Sequence, residues 1–357
     1  METSKRSIGR IHYFDYLRVF ATFAVIVIHV AAYKFGSVDV KSFSFFVFNA
    51  FDSLARWSVP IFVMISGALF LNKDINFSKL FKKNILRLIT AYLFWSVLYA
   101  AILTFNNVVV KSGQFNIHNF LSMVIGGHYH MWFIPMIIGL YLSLPVLQPL
   151  KGQNKTMKYF ILLSFIFAAA IPLVFNLVDD FAGTFAEITS IKNVILNMKF
   201  YLALGFVGYF VAGYYLQKNE LSKTVIKTIY ALGIISFIAS ILLNFAVSVK
   251  TGAGRETYIG FTTVFVSIES AAVFLFFKNC KVFKNSGKFV QTLSKLSFGV
   301  YLLHPLIIEL LDNILHISTT SFNPLLSVPV ISVAVFIVSS AAIYVLSKLP
   351  LLNKYII

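Results

Sequence analysis

HYFDYLRVFATFAVIVIHV, residues 12–30, decides how this chain is read. The stretch is long and apolar enough to cross a bilayer, yet Arg18 and His29 interrupt it. About 20 apolar residues span a hydrocarbon core of about 30 Å. An arginine at mid-bilayer costs about 2.5–3.5 kcal/mol on insertion scales, so such a residue is retained for a reason. Arg18 and His29 are 11 positions apart, close to three full helical turns. Both therefore project from one helix face, about 16 Å apart along the axis, and that face looks at something polar.

Composition extends this reading to the whole chain. With 59% hydrophobic residues, 12% charged residues and a mean hydropathy of +0.84, the sequence describes an all-α polytopic membrane protein rather than a soluble domain. A 20-residue ruler gives about ten spans, near residues 13–33, 44–71, 85–105, 130–150, 158–177, 199–216, 228–247, 257–277, 297–312 and 325–346. The ninth is short and polar at both ends. No connection exceeds about two dozen residues, so residues 1–357 read as one integral-membrane unit without a separate soluble domain. FNIHNFLSMVIGG, within the connection at 106–129, reads as a short interfacial helix. The basic start METSKRSIGR imitates a signal peptide, but the apolar run behind it is too long for one and reads as an uncleaved first helix.

Cytoplasmic loops are enriched in lysine and arginine. With the amino terminus inside, the inner connections and both termini hold 21 of the 30 such residues, against 7 outside. Both termini are therefore expected in the cytoplasm. Basic inner loops facing anionic headgroups account for the net charge of +17 without nucleic acid. Cys280 is the single cysteine, which excludes an intrachain disulfide. Phosphate-loop, HExxH and GxSxG signatures are absent.

The polar residues inside the spans carry what chemistry there is. Asp52 and Arg56 stand at the i, i+4 spacing of a helical ion pair, and Ser66-Gly67 is a small pair suited to close helix packing. His128, His130 and Trp132 open the fourth span. A histidine pair without cysteine or carboxylate nearby supplies too few metal ligands, so no metal is expected. Glu269 lies midway through the eighth span, and Tyr301 and His304 lie one turn apart in the ninth. Taken singly, each also reads as a satisfied polar group of the bundle, Arg18 as an interfacial anchor and Arg56 as an anchor paired to Asp52.

The order of these stretches carries a resemblance. Arg18 with His29, then RWSVPIFVMISGALF, then HMWFIPMIIGLYLSLPVLQ, then SFGVYLLHPLI resembles the acyltransferase 3 family of membrane O-acyltransferases over essentially the whole chain. It is most similar to the small single-domain members that acetylate cell-surface polysaccharides, of the enterobacterial common antigen O-acetyltransferase type. The resemblance implies a bacterial inner-membrane enzyme with no permanently bound cofactor. It takes acetyl-CoA or another acyl-CoA as cytoplasmic co-substrate and a hydroxyl of a cell-surface glycan or lipid-linked saccharide as outer acceptor. His29 matches the family's first-helix histidine and Arg18 its arginine partner.

Chemistry agrees with that expectation. A sugar hydroxyl is a poor nucleophile, and an imidazole takes its proton as it attacks a thioester carbonyl. Arg56 is the candidate to stabilise the oxyanion, and Arg18 with the basic loops to hold the phosphates of the donor. His130, Trp132, Glu269, Tyr301 and His304 are candidates to line the acceptor cavity or orient His29. Direct transfer and an acyl-histidine intermediate both remain open. The alternative is an exporter of a lipid-linked saccharide, because buried histidine, arginine and glutamate also serve proton relays; the lack of visible inverted repeats stands against it.

Overall fold

The computed structural model describes residues 10–183, 186–198, 205–350 and 352. The basic start at 1–9 and the opening of the sixth expected span, 199–204, lie outside the described residues. All regular structure among the described residues is helical. The helices that matter for the site are α1 (His12–Tyr33), α2 (Phe43–Ala55), α3 (Ser58–Phe70), α4 (Leu86–Phe105), α5 (Ile117–Gly126), α6 (Phe133–Leu142), α7 (Asn154–Phe165), α8 (Val207–Lys218), α9 (Lys223–Thr251), α10 (Val264–Asn279), α11 (Lys288–Asn313) and α12 (Pro324–Leu346).

Among the described residues seven helices are long and apolar enough to cross a membrane, or eight if the bent pair Ile117–Gly126 and Tyr129–Leu142 forms one span. The architecture is thus the expected all-α polytopic one, with differences from the ten spans that have local causes. The stretch at 130–150 is not one rod: α6 ends at Leu142, and short turns at Leu144–Leu147 and Gln148–Leu150 follow, each with a proline in its first turn. Hydropathy reads straight through Pro145 and Pro149, whereas the backbone loses a donor and bends there. The ninth span starts at Lys288, nine residues earlier than its apolar part suggests. Its first turns carry Ser294, Lys295 and Ser297, which face a cavity and lower the hydropathy without breaking the helix. The eighth begins only at Val264, where Thr263 caps it by accepting from the Val266 N–H. Helix α5 stands where FNIHNFLSMVIGG is expected to be helical, capped by the Asn116 side chain.

Helix α1 is the hub. It packs against α2, α3, α10, α11 and α12, because Leu17, Ala21, Ile26, Val30 and Ala31 bury on the sides away from the one carrying Arg18 and His29. The helical stretch 43–70 is 67% buried over its apolar window, whereas Asn154–Ala182 is only 11% buried and presents its apolar surface outward, as a lipid-facing helix does. Close approach locks α3 to α8. A Cβ on Gly67 would lie 1.8 Å from the Phe210 carbonyl oxygen, and one on Gly213 would lie 2.0 Å from that of Met64. The small residues read from Ser66-Gly67 therefore serve helix contact, with a second glycine reciprocating from the partner.

Candidate active site

A cavity of about 620 Å³ runs beside α1 and is lined by both Arg18 and His29. The face predicted from their spacing does look at one shared space. At one end Arg18 is joined by Lys82 and Lys83 from the turns leading into α4, by Arg87 in the first turn of α4 and by Lys295 of α11. At the other end His29 is joined by His130, Trp132, Phe261 and Tyr301. Between them the wall is apolar and aromatic, with Val25, Ile28, Val59, Phe62 and Phe133. A long apolar passage with cations at one end and imidazoles at the other suits a ligand with an anionic head and a slim neutral arm.

Arg18 is not tightly paired. The carboxylate one turn before it, Asp15, is held mainly by Arg10 through two bonds of 2.7 and 2.9 Å, and by the hydroxyls of Ser286 and Ser294 at 2.9 Å each. The Asp15 hydrogen bond in turn raises Arg10 above the ordinary guanidinium value. Arg18 Nη1 reaches Asp15 only at 4.0 Å, which leaves its guanidinium on the cavity wall with donors to offer.

Four histidines converge at the other end. His29 Nδ1 lies 2.9 Å from the Val25 carbonyl and 2.9 Å from His304 Nε2. His304 is fully buried behind it. His130 is also buried, its ring centroid 6.3 Å from that of His29, and its carbonyl accepts a 2.6 Å bond from the Tyr301 hydroxyl. His128 Nδ1 lies 2.9 Å from His130 Nδ1; its ring stacks on Tyr99 and its Nε2 lies 3.2 Å from Glu309. The partnership of His128 with Glu309 and Tyr99 had no signal in the sequence, because it joins three separated segments. Among the described residues no group of three or more histidine, cysteine or carboxylate side chains could hold a metal ion.

Two candidates stand elsewhere. Arg56, at the junction of α2 and α3, is 4% exposed and does not line the cavity. Its Nε and Nη2 donate to the Asp52 carboxylate at 2.6 Å each, its Nη1 donates to Glu256 at 3.1 Å, and its carbon lies 5.2 Å from the Phe261 ring centre. The Asp52 pairing read from the i, i+4 spacing is there, and the guanidinium, each of its three nitrogens bonded to a carboxylate, does not stand on the cavity wall beside His29, where an oxyanion stabiliser is needed. Glu269 is likewise off the cavity wall. It is buried between α9 and α10, where Ser240 donates to Oε1 at 3.2 Å and Oε2 has no hydrogen-bond partner among the described residues. Neither lining the acceptor cavity nor orienting His29 fits that position.

No protein of established function and no solved structure matches the chain. A family model does: the acyltransferase 3 model, described as an acyltransferase domain, matches residues 11–344. That match runs from α1 to within the last turn of α12, taking in both ends of the cavity and all four converging histidines, and the chain belongs to the acyltransferase 3 family.

Proposed function

We propose that this membrane acyltransferase moves an acetyl or other short acyl group from acyl-CoA to a hydroxyl of a cell-surface polysaccharide or lipid-linked saccharide, with His29 as general base. The observation that carries the reading is the single cavity with five cationic side chains at one end and His29 at the other. The phosphates of the donor sit among Arg18, Lys82, Lys83, Arg87 and Lys295, where charge-assisted bonds to phosphate are strongest. The pantetheine arm follows the apolar wall for the roughly 16 Å separating Arg18 from His29 and delivers the thioester to the imidazole.

His29 then takes the acceptor hydroxyl's proton as its oxygen attacks the thioester carbonyl. Collapse of the tetrahedral intermediate expels the CoA thiolate, which takes the proton back from His29. No proton is gained or lost overall. The threefold lysine and arginine bias supports a cytoplasmic cationic end and an outer histidine end, and the family resemblance supports a bacterial plasma membrane.

Purified protein incubated with labelled acetyl-CoA and a cell-surface glycan extract is expected to place label on the glycan. His29→Ala is expected to lower that transfer by about 10²-fold or more while inserting normally, since it removes one imidazole from a cavity wall. Undiminished transfer by the variant removes His29 from the chemistry.

A further inference from the structure

The partners of His29 and His304 settle where their protons reside. His304 Nδ1 lies 2.7 Å from the Tyr301 carbonyl and 3.2 Å from that of Val300. Carbonyl oxygens only accept, so Nδ1 carries the proton and the neutral ring keeps its lone pair on Nε2. That Nε2 lies 2.9 Å from His29 Nδ1, which therefore donates. The Val25 carbonyl, 2.9 Å from the same nitrogen, asks for the same proton. His29 Nε2 is left with a lone pair and, among the described residues, no hydrogen-bond partner, in a ring that lines the cavity. A neutral imidazole in water favours the opposite form, with the proton on Nε2, which would meet an incoming hydroxyl with an N–H rather than a base.

The sequence supplies the cause in one residue. Inside an α-helix the N–H of residue 305 would bond the carbonyl of residue 301. Residue 305 is a proline within α11 and has no N–H. The Tyr301 carbonyl is thereby released in the middle of the helix, and His304 Nδ1 takes it at the shorter of its two distances. The ring is turned so that its other nitrogen faces α1.

We propose that His304 is a positioning residue that holds His29 in the tautomer with a free Nε2, and that Pro305 sets this arrangement by vacating the Tyr301 carbonyl. The proposal rests on His29 acting as the base. During the reaction His304 makes no bond to substrate. Its Nε2 keeps accepting from His29 Nδ1–H, and so steadies the imidazolium that forms when Nε2 takes the hydroxyl proton. The histidine is a neutral stand-in for the carboxylate that usually orients a catalytic imidazole, without adding a buried charge to the membrane interior.

The test combines transfer kinetics across pH with nitrogen-15 NMR of histidine-labelled protein in lipid, on the wild type and on His29→Ala, His304→Phe, His304→Gln and Pro305→Ala. In the wild type, His29 Nε2 is expected to be unprotonated and Nδ1 protonated. His304→Phe, similar in shape but without an acceptor, is expected to lower kcat by about 10²-fold or more and to shift the pH profile with little change in the acyl-CoA KM. His304→Gln, whose amide oxygen accepts in place of Nε2, is expected to recover kcat to within about tenfold of wild type. Pro305→Ala restores the competing N–H and is expected to give His304 mixed tautomers. A wild-type proton on His29 Nε2, or wild-type kcat and pH profile in His304→Phe, overturns the role of His304; unmixed His304 tautomers in Pro305→Ala overturn that of the proline. An active His29→Ala instead defeats the proposed function itself, whereas an inactive His29→Ala beside a fully active His304→Phe removes only the positioning role.

Discussion

Arg18 and Arg56 are both arginines in apolar helices near the amino terminus, and the tertiary structure gives them opposite circumstances. Arg56 is closed off: Asp52 is fully buried against it, Glu256 covers the remaining side, and a phenylalanine ring lies against its face. Arg18 keeps only a 4.0 Å approach to Asp15 and opens onto the cavity beside three lysines and Arg87. An ionisable group inside a membrane helix thus needs a partner but does not thereby need a ligand. What separates the two arginines is where the guanidinium stands once the protein's own carboxylates have taken their share, Arg56 off the cavity wall and Arg18 on it.

The comparison is most easily broken at Arg56. Arg56→Gln leaves the fully buried Asp52 carboxylate without its main cation, and breaking such a pair costs about 3–5 kcal/mol. A large fall in thermal stability in detergent is expected, with a partial return in the double variant Asp52→Asn/Arg56→Gln, which removes both charges. An Arg56→Gln protein of wild-type stability and much reduced kcat would reverse the assignment and return Arg56 to the chemistry.

Arg18→Gln should do less to the fold and more to the donor. A charge-assisted contact to phosphate is worth about 1.5–3 kcal/mol, or about 10- to 150-fold in the acyl-CoA KM. Stability and kcat should change little, because Asp15 keeps Arg10, Ser286 and Ser294. A variant whose donor KM is unchanged makes Arg18 an interfacial anchor. The smallest effect is expected at Glu269. It has no cation to lose, so Glu269→Gln should alter stability by only about 1 kcal/mol and leave transfer kinetics unmoved, whereas a large kinetic effect would connect the α9–α10 interface to the cavity.

Much of this was legible in the sequence for a simple reason. Spacing along one helix is fixed by the helix itself, so the 11-residue interval between Arg18 and His29 already placed both on one face, and the i, i+4 interval already paired Asp52 with Arg56. Bilayer chemistry allows only helices and closed barrels to span, and continuous apolar runs of about 20 residues select the helix, which settled the fold class. Span limits were less legible, since hydropathy averages over Pro145 and Pro149, which break the rod, and over Ser294 and Ser297, which do not.

What no single helix contains, only packing could decide. His29 meets His304 across 275 positions, Arg56 meets Glu256 across 200, and Tyr301 reaches His130 across 171. Whether a polar side chain is spent on a neighbour or left facing a cavity depends on which helices lie beside it. In the sequence Arg18, Arg56, His29 and Glu269 look alike as costly intrusions into apolar helices; the arrangement of α1 against α2, α3 and α11, and of α9 against α10, closes Arg56 and Glu269 into the protein and leaves Arg18 and His29 open to one cavity. Secondary structure is local and follows from residue order, whereas the partner that satisfies a buried charge is brought by chain segments far away in sequence.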